Sequence, residues 1–325
     1  MAAVEGFLSE ANGHAELEIE AEVGVEELAE GSGIQLPGVP GRKGMGWLRD
    51  HPSLRDYTVE QEEVTALLKG TSVPKAPAKL PASKDLRTWC SPIEDQGSLG
   101  SCTAQAGVGM LEYYERKACG RHINGSRSFL YKATRKLGGF KGDSGAFLRT
   151  TMGAMALFGV PPERYWPYNV ARFDKEPPAF CYAFAQNYQS LVYYRLDPAG
   201  AEPTDTLNAI KSHLASEMPA MFGFSVFESI WDDNSGAIPF PAGNEELVGG
   251  HAVVAVGYDD AKTIKNSRPG GPSTKGAFLI RNSWGTSWGE KGYGWLPYEY
   301  VRQYLADDWW VLQKQEWVDT GQFKT

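Results

Sequence analysis

The order in which the hydrophobic pattern changes period constrains this chain most. Residues Cys102 to Lys117 place Ala106, Met110, Tyr113 and Tyr114 at i, i+4, i+7 and i+8, the spacing of a buried helix. Gly145 to Phe158 and Asp205 to Ser216 also have helical spacing, whereas Ala220 to Val226, His251 to Tyr258 and Ala277 to Arg281 read as strands. Helices come first and strands follow, without alternation. That order predicts an α+β chain with a helical lobe and a β-rich lobe. At 325 residues, 42% of them hydrophobic, the chain has material for one large domain or two lobes. No stretch approaches the ~20 apolar residues of a membrane span, and no internal repeat is visible.

Charge is unevenly distributed. Nine glutamates (Glu5, Glu10, Glu16, Glu18, Glu20, Glu22, Glu26, Glu27 and Glu30) precede the first basic residue, Arg42, leaving 31 acids against 32 Lys and Arg in the remainder. No basic field for nucleic acid exists. The acidic block reads as a solvated tail or arm, with Glu16 to Ala29 a candidate short helix or strand. Glycine and proline punctuate residues 34 to 46. Tyr57 to Leu68 has helical spacing at Val59, Val64, Leu67 and Leu68, and Gly70 to Pro81 reads as a Pro/Lys-rich linker. Met1 to Glu5 has no basic n-region and no apolar h-region follows, so a secretory signal is not expected and a cytoplasmic location is. Asn124-Gly125-Ser126 is then a chance glycosylation acceptor.

The four cysteines, Cys90, Cys102, Cys119 and Cys181, are too few for a disulfide scaffold and lack zinc spacing, so free thiols and no metal or cofactor are expected. Cys102 differs from the others. It follows Asp95-Gln96-Gly97-Ser98-Leu99-Gly100-Ser101 and opens the helical run. A glycine-rich turn lets backbone approach a carbonyl closely, and a helix N-terminus favours thiolate over thiol. A lone cysteine after glycines is more often a small core residue, so partners decide the matter. His14 and His51 fall in the N-terminal arm, and His122 and His213 sit among polar residues as surface histidines would. His251 opens an apolar strand after Gly249-Gly250, and Asn282 lies in Arg281-Asn282-Ser283-Trp284-Gly285.

Three blocks in order, Gln96-Gly97-x-x-Gly100-Ser101-Cys102, Gly250-His251-Ala252-Val253 and Asn282-Ser283-Trp284-Gly285-x-x-Trp288-Gly289, resemble the papain family of cysteine peptidases. His251 and Asn282 lie 149 and 180 residues past Cys102. The histidine fits the family's downstream separation of ~130–150 residues. The asparagine comes later, an excess assigned to a long hairpin loop at Asp259 to Lys275. The resemblance spans about Leu86 to Val301. It implies a papain-like two-lobe fold with a helical N-terminal lobe, a β-barrel-like C-terminal lobe and the active site in the cleft between them.

The resemblance further implies roles. Cys102 attacks the scissile carbonyl, His251 shuttles the proton, and Asn282 holds the imidazole tautomer. Gln96 donates its amide to the oxyanion with the Cys102 backbone N–H. Trp284 shields the His–Asn hydrogen bond. Gly142 to Ala146 occupies the place of the glycine-rich stretch that pairs with an extended peptide or protein substrate, through Gly145 and Ala146. Phe147, Leu148, Gly250 and Ala252 line a specificity pocket expected to prefer an apolar residue. Trp166-Pro167-Tyr168 matches a structural element outside the site. The implied organisation is an acidic arm at 1–40, a propeptide-like segment and linker at 41–84, and a peptidase domain at 85–325, with lobes at about 85–190 and 191–325. The segment before residue 85 is a candidate cleft inhibitor, making the chain a zymogen.

Two departures stand out. The family's common disulfide between a cysteine three residues before the nucleophile and one in the glycine-rich stretch is absent, because those positions are Leu99 and Asp143. Thr103 follows the nucleophile where tryptophan is usual. With Gly46 to Tyr57 upstream, this looks like a microbial variant of the family. Gly285-Thr286-Ser287-Trp288-Gly289 formally matches a serine-hydrolase elbow, but no histidine follows His251, so that reading fails. A peptide ligase or transpeptidase with the same triad, and a catalytically silent peptide-binding module, remain as alternatives to hydrolysis.

Overall fold

The computed structural model describes residues 33–68, 79–188 and 190–315. The chain opens with strands β1 (Ile34–Gln35), β2 (Arg42–Lys43) and β3 (Trp47–Leu48), helix α1 (Glu62–Leu68) and strand β4 (Ser83–Asp85). Helices α2 (Cys102–Cys119) and α3 (Arg127–Leu137), strand β5 (Ala146–Phe147), and helices α4 (Leu148–Phe158) and α5 (Ala179–Ala185) follow. The remainder holds β6 (Ser190–Arg195), α6 (Pro203–Ala215), β7 (Ala220–Phe227), β8 (Leu247–Lys265), β9 (Ser273–Arg281), β10 (Tyr293–Pro297), α7 (Glu299–Arg302) and β11 (Ala306–Gln315).

Helix α2 is the spine. Thirteen of its eighteen residues are buried, so it is packed on nearly every side rather than along one stripe. It ends where Gly120 takes a left-handed φ of 70° and returns its N–H to Arg116 O at 2.8 Å. One flank of α2 meets α3 and α4, the other meets β7 and β8. Helix α3 starts at Ser126, whose hydroxyl accepts the Phe129 N–H.

The second half forms a seven-stranded sheet in the order β10-β9-β8-β7-β11-β6, with β4 added against the far part of β8. All its pairings are antiparallel, and its two end strands do not meet, so the sheet is open rather than a closed barrel. The β8–β9 hairpin runs on into the hairpin loop expected at Asp259 to Lys275, pairing part of it. Its ladder bulges between Asp259 and Thr263 and then resumes through Thr263↔Lys275 to Lys265↔Ser273. Polar residues suffice there because, of the residues paired beyond the bulge, only Ile264 and Thr274 are buried.

The N-terminal segment departs most from expectation. Residues 34 to 46 build a β1–β2 hairpin, with Gly38 and Gly41 both at φ 70° in the turn, so the arm boundary expected at residue 40 falls inside it. The helical spacing read over Tyr57 to Leu68 yields a helix only from Glu62, because Thr58 bridges to Arg195 in extended form. The candidate element at Glu16 to Ala29 and most of the Gly70 to Pro81 linker lie outside the described residues. Among the described residues, no helix is long and apolar enough to cross a membrane.

Candidate active site

Cys102 is the first residue of α2 and is fully buried. The turn before it is held at several points. Gln96 N–H donates to Ser283 O at 2.8 Å, and the Tyr168 hydroxyl meets Gln96 O at 2.8 Å and Ser101 Oγ at 2.7 Å. The Trp166-Pro167-Tyr168 element therefore braces the nucleophile turn, a role the sequence did not indicate. Backbone N–H groups of Ala252, Gly46 and Thr103 point at the Cys102 sulfur and favour thiolate, but burial outweighs them and pushes the thiol up to about 11. The thiolate expected from the helix N-terminus is thus suppressed in this state.

His251 lies on β8, one residue before Ala252, whose N–H meets the sulfur. Its Nε2 is 2.7 Å from Asn282 Oδ1, and that same oxygen accepts the Ser283 N–H at 2.7 Å. Because a backbone N–H can only donate, the asparagine atom between them must be the oxygen, and Nε2 must carry a proton. Nδ1, without a hydrogen-bond partner among the described residues, is then the basic nitrogen. Trp284 stacks on the imidazole at 4.3 Å and is itself fully buried, while Phe224 meets it edge-on. Burial pulls His251 down to about 4, against the Asn282 hydrogen bond that raises it. His213, expected at the surface, is instead buried on α6 between Ala209 O and the Tyr194 hydroxyl.

Gln96 is fully buried. Its Oε1 accepts the Ser283 hydroxyl at 2.6 Å, and its Nε2 donates to Leu99 O at 2.8 Å and to Gly44 O at 3.1 Å. One amide proton is therefore spent on the turn and the other on the N-terminal segment. Ser283, which fixes the amide's direction, was not singled out in the sequence.

Residues 44–48 of the N-terminal segment pack against these side chains and against β5. Gly46 O accepts the Ala146 N–H at 2.8 Å, and β3 pairs parallel to β5 through Trp47↔Ala146 and Leu48↔Phe147. A side chain at Gly46 would overlap Gly100, and one at Gly145 would overlap Gly46, so both glycines serve close backbone approach. The Trp47 indole lies over Gly223 and Gly250, in contact range that a Cβ at either position would destroy. Its Nε1 donates to Asp308 Oδ2 at 3.2 Å. The indole thus ends on a buried aspartate, while Leu148 and Ala252 are buried in the surrounding core.

Ion pairs fasten the same segment: Lys43 to Asp95 at 2.6 Å, Arg49 to Asp307 at 2.5 Å, and Arg149 to Asp56 at 2.7 Å and also to Asp50. Burial alone would raise the Asp56 pKa, but the Arg149 hydrogen bond, the Ser53 N–H and Arg195 together bring it below the ordinary value of 3.8. A depressed carboxylate stabilises docking above that ordinary value and loses the contribution as pH falls through the folded pKa. Asp56→Asn is therefore expected to destabilise the full chain at pH 7 by roughly 1.5–3 kcal/mol, the scale of a lost charged hydrogen bond, read as a lower melting temperature. The difference from wild type should shrink toward pH 2. A penalty equal at both pH values contradicts the assignment.

Among the described residues all four cysteines are free, and no cluster of metal-binding side chains occurs. Of the sequence-predicted residues, Cys102, His251, Asn282, Gln96 and Trp284 converge at the junction of α2, β8 and the end of β9. Gly145, Ala146, Phe147 and Gly250 meet the N-terminal segment itself.

Residues 80–304 match the model of the papain family of cysteine proteases. An uncharacterized peptidase C1-like protein of Acanthamoeba polyphaga mimivirus is 32% identical over 284 residues, covering 84% of this chain and 87% of that protein. Cathepsin K of Gallus gallus is 26% identical over 71% of this chain and 67% of its own length. Among solved structures, xylellain, a cysteine protease from Xylella fastidiosa, superposes with a TM-score of 0.66 at 34% identity, covering 86% of this chain and 99% of that one. A digestive procathepsin L 3 of Tenebrio molitor shares the fold at a TM-score of 0.53 and 21% identity, covering 77% of this chain and 78% of its own. With the family matched over most of its length and a cleft of this geometry, the chain belongs to the papain family of cysteine-type peptidases.

Proposed function

We propose that the chain is a cysteine endopeptidase that works through Cys102, His251 and Asn282 and is made closed, with residues 44–48 lying in its own cleft. The observation that carries the reading is the double occupancy by the N-terminal segment, with the Gly44 carbonyl on the Gln96 amide and the Gly46 N–H at the Cys102 sulfur.

In the open enzyme, His251 Nδ1 takes the thiol proton and the thiolate attacks a peptide carbonyl. The developing oxyanion receives the Cys102 N–H and the Gln96 amide proton that Gly44 now occupies. Asn282 keeps the ring in the Nε2–H tautomer, so the lone pair stays on Nδ1. The N-terminal segment escapes cleavage because it presents an N–H, not a carbonyl carbon, to the sulfur. Trp47 anchors it, contributing roughly 1.5–3 kcal/mol by burial before ordering costs.

The test is a pair of variants in the chain beginning at Pro81, where the cleft is open. Cys102→Ala is expected to abolish cleavage of a fluorogenic peptide without lowering the melting temperature. Gln96→Ala should retain cleavage at roughly 10²–10³-fold lower kcat. Residual Cys102→Ala activity above background contradicts the assignment.

A further inference from the structure

Asp143 does not belong to the triad or to the oxyanion donors, yet its carboxylate bridges the two halves of the site. The Gly100 N–H donates to both of its oxygens, at 3.0 Å to Oδ1 and 3.1 Å to Oδ2. The Tyr131 hydroxyl donates to the same Oδ1 at 2.6 Å and in turn accepts the Gly145 N–H at 3.1 Å. Gly100 lies two residues before Cys102, and Gly145 precedes the Ala146–Phe147 strand that takes up the extended segment in the cleft. Behind them, the Arg135 guanidinium sits 4.4 Å over the Tyr131 ring and donates to Gly142 O. A chain of contacts thus runs from α3 through Tyr131 and Asp143 to the nucleophile turn. Position 143 is one of the two where the family's common disulfide is missing.

We propose that Asp143 is a positioning residue for peptide hydrolysis, clamping the Gly97–Ser101 turn to the substrate-pairing strand so that both oxyanion donors keep their aim. This rests on the peptidase reading of the cleft. The donors depend on the turn directly: the Cys102 N–H follows it, and Gln96 Nε2 is tied to Leu99 O within it. A glycine suits position 100, since a Cβ there would come within 3.1 Å of Asp143 Oδ1 and the carboxylate would have to shift by a few tenths of an ångström. The negative charge itself works against a thiolate at Cys102, so the contribution lies in accepted hydrogen bonds. Oδ1 alone accepts from both Gly100 and Tyr131, and an asparagine can present that oxygen.

The experiment compares Asp143→Ala and Asp143→Asn with the wild type in the chain beginning at Pro81, freed of the closing segment, with kcat expressed per site titrated by an irreversible epoxide. Hydrogen exchange at the Gly100 amide is followed in the full chain. In Asp143→Ala, kcat should fall roughly 10–100-fold, as small misplacements of catalytic groups do, while KM moves less than about threefold. Alkylation of Cys102, which uses no oxyanion donor, should keep its rate, and the Gly100 amide should exchange at least ~10-fold faster. Asp143→Asn should stay within about threefold of wild type on every measure. Tyr131→Phe, a milder change that keeps the ring, should lower kcat a few-fold. Unchanged kcat or unchanged Gly100 exchange in Asp143→Ala overturns the clamp, as does an asparagine variant equally impaired. A wild type without Cys102-dependent cleavage overturns the peptidase reading instead, and the exchange rates still judge the clamp.

Discussion

A chain beginning at Pro81 should cleave a fluorogenic peptide at least ~100-fold faster than the full chain. Pro81 is a natural starting point, since its carbonyl still receives the Tyr258 hydroxyl and β4 still joins the sheet. With burial pushing the thiol up to about 11, Cys102 rests as the thiol at pH 7 in the closed state. Removing residues 44–48 readmits water and frees the Gln96 proton held by Gly44. A tethered segment acts at high effective concentration, so a peptide spanning residues 33–68 should inhibit again, competitively, but only when added in excess. Equal activity in the two chains, with the shorter one folded, would assign the segment to stability instead.

The second large effect is at the histidine. His251→Ala should lower kcat/KM of the shortened chain by roughly 10³–10⁴-fold, the scale on which general acid–base catalysis contributes. Asn282→Ala should cost less, since the ring loses its fixed tautomer but keeps its lone pair, and Trp284 still stacks on it. Burial pulls His251 down to about 4 and Cys102 up to about 11, so the closed pair rests as imidazole and thiol. On the proposed opening, water and the pair's mutual attraction should bring the thiol pKa below that of the imidazolium, and the ion pair then exists only between the two values. A bell-shaped kcat/KM profile is the expected result. A profile rising steadily through pH 10 would indicate an unassisted thiol.

Much of the fold was legible because packing and pattern agreed. The helical run from Cys102 and the strands at Ala220 and Ala277 carry their periods over enough residues to be read. The three blocks around Cys102, His251 and Asn282 fixed the expected site because each combines a reactive side chain with glycine or tryptophan at set offsets. His213 was misread through its polar neighbours Lys211 and Ser212. Helical spacing places it three residues after Ile210 and seven after Thr206, on the buried face. The contacts in the cleft were not legible. A two-residue parallel pairing such as β3 with β5 leaves no periodicity, and the significance of Gly46 lies in what approaches it. Nor does a sequence show that Asp308, far along the chain, ends beneath Trp47, or that Ser283 aims Gln96. Those are long-range meetings made by the sheet.

The most direct measurement is alkylation with limiting iodoacetamide, mapped by residue, in the full chain and in the chain beginning at Pro81. Cys119 is exposed, while Cys90, Cys102 and Cys181 are buried. In the full chain Cys119 should be modified first and Cys102 spared. In the shortened chain Cys102 should overtake it, with a rate at least ~100-fold above its own in the full chain, because the freed thiolate is the nucleophile. Equal Cys102 rates in the two chains, or another cysteine leading in the shortened one, would contradict a Cys102 nucleophile closed off by the chain's own N-terminal segment.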